Sequence, residues 1–384
     1  MRRRHTSDLR SKLILIALSV ILTLAGAEAV LRLINYPPRE LALFRANPNG
    51  TGSYRLRSDL DIVTTFGTKD IRIKTNSNGM RWREVSPSKR SRTTRVAFVG
   101  DSFTFGLWAD NVEQSLVGVF ESELSGNGVE ALNFGVPGYG LADVELLIRE
   151  QVLSFSPDYI ILLLFNGNDL LDSYLGLERY SVSGDGVLQA NSEILEQKIP
   201  EEFRREARSI RRFLADRIYL VRVLKAGLIA LFPRDKSRKT RTTPVDTSYT
   251  SDLFWSQRSY PDFAINARDM TLEALMRIAI LCQQNQVKLR IAAIPSMEQM
   301  RSPAEFGDDY HRDLPQRYFA EFAATNAIPF MDLLPGLVQH VRESGEEVYY
   351  LADGHFNNQG HRVVGTLLTS FFAKRAETVL RHSE

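Results

Sequence analysis

Five short apolar runs, each bounded by turn residues, constrain this chain more than anything else in it: 96–99, 131–134, 159–165, 289–294 and 329–333. They are continuous rather than alternating, so both faces of each strand must be covered. Helix-period segments at 115–124, 141–155, 267–285 and 316–326 separate them, and a last one at 359–375 follows. Buried strands alternating with amphipathic helices predict an α/β domain from residue 95 to 384, three layers deep, around a five-stranded parallel sheet. No Gly-x-Gly-x-x-Gly follows the first strand, which argues against a dinucleotide-binding dehydrogenase.

The rhythm breaks at 170–260, which reads as an insertion. Within it, 201–231 looks like a long basic helix (Arg204, Arg205, Arg208, Arg211, Arg212, Arg217, Arg222, Lys225) with apolar residues interleaved. A solvated face is the plain reading; packing on anionic headgroups is the functional one. Residues 234–244 then read as a charged loop. Upstream, 35–94 is rich in Arg, Asn, Gly, Ser and Pro with β-like runs at 62–66 and 71–74, and reads as a spacer with short strands.

At the N-terminus, Arg2, Arg3, Arg4, Arg10 and Lys12 lie in a basic tail, 1–12, ahead of an uncharged run from 13 to 27. Apolar character continues to Ile34, interrupted by Glu28 and Arg32. A helix over 13–34 would be about 33 Å long at ~1.5 Å per residue, enough to cross a bilayer. The basic flank would stay cytoplasmic, leaving a single-pass inner-membrane protein with its domain outside. Ala25-Gly26-Ala27 resembles a cleavage site, so a removable signal peptide is the rival to a signal-anchor, and would give a secreted domain.

Composition adds exclusions. With 48 basic and 46 acidic residues the formal charge is +2, which gives no footprint for nucleic acid. The single cysteine, Cys282, rules out an internal disulfide and a Cys-rich zinc site; its apolar helical setting suits a core residue. No cofactor or metal is expected.

Chemistry concentrates where strands end, which is where ligands bind in an open parallel sheet. Gly100-Asp101-Ser102 follows the first strand and precedes a helix, presenting a serine at that edge, though the tripeptide would also serve as a simple helix cap. The second strand runs into Asn133-Phe134-Gly135-Val136-Pro137-Gly138-Tyr139-Gly140, a turn whose amides can face an anion. The third ends in Asn166-Gly167-Asn168-Asp169, where an amide side chain could donate to a developing oxyanion, or simply turn the chain. Near the C-terminus, Asp353-Gly354-His355 sits in a loop before the last helix, and a carboxylate beside an imidazole suits a general base. Of the six histidines, only His355 has that setting; His361 falls inside the helix.

These four segments, in this order, resemble the SGNH/GDSL hydrolase family, from residue 95 to the end except for the insertion. The resemblance implies a flavodoxin-like sheet with Ser102 as nucleophile, His355 as base and Asp353 as its orienting acid. It also implies an oxyanion hole made by the Ser102 and Gly135 amides and the Asn168 side chain. Two departures stand out: Asn166 replaces a glycine common in the third block, and the acid stands two residues before the histidine rather than three. The implied activity is ester hydrolysis through an acyl-enzyme, on an acylated small molecule or an O-acetylated extracytoplasmic polysaccharide. An O-acetyltransferase would use the same residues with a sugar hydroxyl in place of water. An idle carbohydrate-binding or assembly protein of the same fold is the non-enzymatic reading.

Overall fold

The computed structural model describes residues 2–34, 43–66, 69–182, 188–203, 220, 223, 254–302, 308–351 and 354–380. Most of the basic segment 201–231, all of the charged loop 234–244, and Asp353 lie outside the described residues.

The five apolar runs form one parallel sheet: β1 (Thr94–Gly100), β2 (Val129–Gly135), β3 (Tyr159–Phe165), β4 (Lys288–Ile294) and β5 (Phe330–Asp332). Their spatial order is β2-β1-β3-β4-β5, every pair parallel. The inner residues Val96, Ala97, Phe98, Val99, Ile160 and Ile161 have no solvent exposure, as continuous apolar strands require. The helices are α1 (Ser102–Phe105), α2 (Leu116–Glu123), α3 (Leu141–Glu150), α4 (Asp169–Leu175), α5 (Asp262–Gln284), α6 (Leu314–Thr325), α7 (Leu334–Ser344) and α8 (Asn358–Leu380).

Strand order decides where the helices go. Right-handed crossovers put the helix on one face when the chain steps from β1 to β2, and on the other when it steps from β2 toward β5. Accordingly α2 packs with α8, which also meets α7, while α3, α4 and α5 pack together. The sheet is thus flanked by helices on both faces. Local signals agree: Ser115 caps α2 with its side chain on the Gly118 amide, and Gly345 ends α7 in the left-handed region at φ 69°.

A separate unit comprises 1–41, 64–70 and 206–241. Its helix, Arg2–Leu33, contains an 18-residue window, Ile14–Leu31, with mean hydropathy 2.4 and no residue buried. It is the one helix among the described residues long and apolar enough to cross a membrane.

Much of the segment expected as a spacer belongs to the sheet-bearing unit. Residues 42–63 and 71–94 are part of it, and Tyr54, Leu56, Ile71, Ile73, Met80 and Trp82 are buried there. Arg81 reaches furthest: 1% exposed, it donates to the carbonyl oxygens of Phe105, Gly106 and Ala109, just where α1 ends. A cation there satisfies carbonyls that a helix leaves without partners. Burial lowers the Arg81 pKa to about 10, so the charge persists at neutral pH. Replacing Arg81 by Ala strands those buried carbonyls, which costs about 3 kcal/mol. The expected result is a fall in the thermal midpoint of roughly 6–12 °C, read by a melting curve.

Candidate active site

Ser102 is placed by the way β1 ends. At Gly100, with φ 154°, an added Cβ would lie 2.4 Å from Thr104 Oγ1 and 2.8 Å from the Leu163 carbonyl oxygen, so only glycine lets the strand turn this tightly. Asp101 then caps α1, its Oδ1 accepting from the Phe103 amide at 2.9 Å. The cap reading and the nucleophile reading of Gly100-Asp101-Ser102 are therefore compatible, because Asp101 does the capping. Ser102 occupies the first turn of α1, where an amide has no partner within the helix.

From 253 positions away, His355 brings Nε2 to 2.8 Å from Ser102 Oγ. With the imidazole proton on Nδ1, the hydroxyl donates to Nε2, which is the geometry of a base poised to take that proton. The imidazole stacks on Phe103, centroids 4.8 Å apart and planes at 24°. Phe103 is itself wedged against Phe165 at 4.3 Å and Phe356 at 4.9 Å. The histidine loop closes on itself: Tyr350 N donates to the His355 carbonyl at 2.6 Å, and Gly354 N to the Tyr350 carbonyl at 2.9 Å. Tyr350 lies flat on Trp108, 4.5 Å between centroids, which ties this loop to the chain just beyond α1. His361 is buried inside α8, its ring at 78° to that of Phe356.

Of the remaining expected residues, Asn168 stands at the N-cap of α4, beyond the end of β3, with Nδ2 donating to Asp172 Oδ2 at 2.9 Å. Gly135 is not available in the way the resemblance implied. Its amide donates to Asn133 Oδ1 at 2.9 Å, and an added Cβ would fall 2.1 Å from the Phe105 amide nitrogen. Gly135 therefore serves close packing of β2 beneath α1. Three residues on, the 137–138 peptide is oriented from its other side, the Pro137 carbonyl accepting from the Tyr54 hydroxyl at 2.9 Å. A trans peptide sends its N–H opposite its C=O, so the Gly138 N–H points away from Tyr54. Asn166, at the position where a glycine is common, turns toward β4, its Nδ2 donating to Gln299 Oε1 at 3.3 Å. That same oxygen accepts from the Ser296 amide.

Three carboxyls are buried beneath these groups. Asp101 is pushed up to about 6, mainly by burial, with the Phe103 amide and His355 pulling the other way. Asp172 is also pushed up to about 6 by burial, against the pull of Arg179. Asp169, whose Oδ2 accepts from the Phe165 amide at 2.8 Å, lies well above the usual carboxylate range through burial and the nearby Asp101. The cap role of Asp101 is legible in its motif, but neither Phe103, Asp172 nor Arg179 follows from motif reading, although Asn168 and Asp172 do stand four apart, a helical neighbour spacing.

A serine hydroxyl within hydrogen-bond reach of an imidazole thus lies at the carboxyl edge of an open α/β/α sheet. A family model described as the GDSL-like Lipase/Acylhydrolase family matches residues 98–363, and the chain belongs to that family of ester-hydrolysing enzymes. Among solved structures, an acetyl xylan esterase, AlAXEase, is 14% identical over 72% of this chain and 98% of its own, with a TM-score of 0.40. A lipase/acylhydrolase from Enterococcus faecalis is 13% identical over 74% and 97%, TM-score 0.40. A two-domain esterase active on acetylated mannans is 13% identical over 73% and 49%, TM-score 0.39. No curated protein matches the chain.

The buried carboxyls make stability depend on pH in a definite direction. Each binds its proton more tightly in the folded protein than in the unfolded chain, where an aspartate titrates near about 3.9. Their stabilising contribution is therefore complete below that value and is lost as pH rises through about 6 for Asp101 and Asp172. The thermal midpoint is expected to rise by roughly 3–8 °C when pH is lowered from 8 to 5. A flat or falling midpoint over that range would contradict the burial of these groups as charged-state penalties.

Proposed function

We propose that this chain hydrolyses O-acyl esters, in the first instance acetyl esters of carbohydrate outside the cytoplasmic membrane, with Ser102 as nucleophile and His355 as general base. The observation that carries this reading is the 2.8 Å contact between Ser102 Oγ and His355 Nε2. A serine hydroxyl is a weak nucleophile until a base removes its proton as it attacks.

In the first half-reaction His355 takes the Ser102 proton as Oγ bonds to the ester carbonyl carbon. The tetrahedral oxyanion collapses, His355 returns the proton to the departing alcohol, and an acyl-serine remains. In the second, His355 deprotonates water as it attacks the acyl-serine, then returns that proton to Ser102 Oγ as the acyl carbon–Oγ bond breaks and the acid leaves. Asp353 is assigned the orientation of the imidazole and the stabilisation of its charged form. The oxyanion donors assigned are the Ser102 amide, the Asn168 side chain and the Gly138 amide. Gly138 takes the part first expected of Gly135, because the Gly135 N–H is committed to Asn133.

The carbohydrate substrate rests on location: the basic N-terminal flank and the apolar window Ile14–Leu31 suit a single-pass anchor with the hydrolase domain outside. Retention of that helix shows as an unshortened N-terminus in the mass of the membrane-extracted protein; a mass beginning beyond residue 27 would identify a cleaved signal peptide instead.

The full chain, solubilised in detergent, is to be assayed on p-nitrophenyl acetate and on an acetylated glycan. Ser102→Ala and His355→Ala should each lower kcat on the order of 10⁴–10⁶-fold. Unchanged turnover in Ser102→Ala would remove the serine from the mechanism. Release of free acetate from the glycan supports hydrolysis, whereas acetyl appearing on an added sugar acceptor would reassign the acyl-enzyme to transfer.

A further inference from the structure

Arg179 is 2% exposed and lies outside every motif that identifies the family, early in the 170–260 insertion. Its guanidinium nonetheless meets both sides of the oxyanion region. Nη2 donates to the Gly138 carbonyl at 2.6 Å and pairs with Asp143 Oδ2 at 2.6 Å. Nη1 donates to the Gly176 carbonyl at 2.6 Å, at the end of α4. Nε lies 3.4 Å from Asp172 Oδ1, an ion pair rather than a hydrogen bond. Asp172 in turn accepts from Asn168 Nδ2 with its other oxygen. One buried cation thus touches the 138–139 peptide directly and the Asn168 amide through a single carboxylate.

We propose that Arg179 is a positioning residue for the oxyanion hole, holding the Asn168 amide through Asp172 and the Gly138 loop through its carbonyl; this rests on the assignment of Asn168 and Gly138 as oxyanion donors. Asn168 Nδ2 carries two hydrogens. One spent on Asp172 fixes the amide plane, and that leaves the second with a set direction. An oxyanion donor contributes through preorganisation, by needing no rearrangement when charge develops. A free asparagine rotamer would lose that. Fixing it requires an acceptor that stays ionised at neutral pH although buried, and Arg179 acts on Asp172 in that sense by pulling its pKa back down against burial. Asp143 completes the balance of charge. It is fully buried, accepts from Ser53 Oγ at 2.6 Å, and caps α3 through the Gly140 amide. Two carboxylates around one guanidinium match the fork of an arginine and not the single ammonium of a lysine.

The test is a set of double-mutant cycles on the full-length enzyme with p-nitrophenyl acetate, using variants whose melting curves show a folded protein. Asn168→Ala is expected to lower kcat by roughly 10²–10³. Asp172→Ala should lower kcat by about 10–100-fold with KM within about twofold, because only charge developing in the transition state is affected. In the Asn168→Ala background, Asp172→Ala should cost no more than about a further twofold, since the group it positions is already gone. Arg179→Lys, which keeps a cation beside Asp143, should fold like the parent and still lower kcat; Arg179→Met should lower it further. Independent, multiplicative losses in the double variant would overturn the proposal and leave a general structural role. So would Asp172→Ala and Arg179→Lys at parental kcat while Asn168→Ala is impaired. Should Asn168→Ala itself retain full turnover, it is the oxyanion assignment of Asn168 that fails.

Discussion

The constraint on which the rest depends is the order in which the strands lie. Because the chain lays β2 on one side of β1 and then crosses to begin β3 on the other, the loops leaving β1 and β3 diverge to opposite faces. A crevice opens between them at the carboxyl edge, as at any such reversal point in an open parallel sheet. Ser102 follows β1 and Asn168 follows β3, so the two residues stand on opposite banks of that crevice. Neither location could be exchanged for a position one strand further out without losing the other.

Crevices of this kind must be lined by polar groups that face each other, and here the polarity runs deep. Asp101, Asp143, Asp169, Asp172 and Arg179 are all buried. Buried ion pairs are weak contributors to stability, since desolvation offsets much of the attraction. Three of the carboxyls have pKa values raised mainly by burial, which shows the charged forms are strained rather than favoured. Such an arrangement is costly as a means of holding a fold together and more economical as a means of fixing directions. Each carboxyl points at a specific amide: Asp101 at Phe103, Asp169 at Phe165, Asp143 at Gly140, Asp172 at Asn168. Those amides belong to α1, the end of β3, the loop after β2, and the side chain that begins α4.

What the sequence shows of this follows from the range of each interaction. Continuous apolar strands are local patterns, and β1 to β5 appear within two residues of where hydrophobicity alone puts them. Helix α7 lies outside the helix-period segments read from the sequence; Pro335 stands in its first turn, where a proline loses no hydrogen bond and is compatible with the helix. Ser102 and His355 are legible because each sits in a recognisable local setting. The Gly135 amide is misleading for the opposite reason, since the Asn133 side-chain oxygen that captures it is a contact, not a pattern. Arg81, Tyr54 and Arg179 are invisible for the same reason: their partners at Gly106, Pro137 and Gly138 lie 25, 83 and 41 positions away. Few apolar anchors among many Arg, Asn and Gly residues likewise make 35–94 look like a spacer, although 42–63 and 71–94 belong to the hydrolase unit.

These long-range contacts share a feature that bears on how such a site is kept in order. Ser102 and His355 are held by separate devices. Helix α1 is fixed at its start by Asp101 and beyond its end by Arg81, both independent of the histidine loop. The loop is fixed by its own backbone hydrogen bonds and by Tyr350 on Trp108. Phe103 joins the two, since it belongs to α1 and carries the His355 ring on its face. The stacked ring presents Nε2 to Ser102, but stacking is indifferent to which ring nitrogen carries the proton, and a hydrogen bond at Nδ1 is what sets that tautomer. That is the task proposed for the Asp353 carboxylate: an acceptor for an Nδ1 proton leaves the Nε2 lone pair free for the serine hydroxyl.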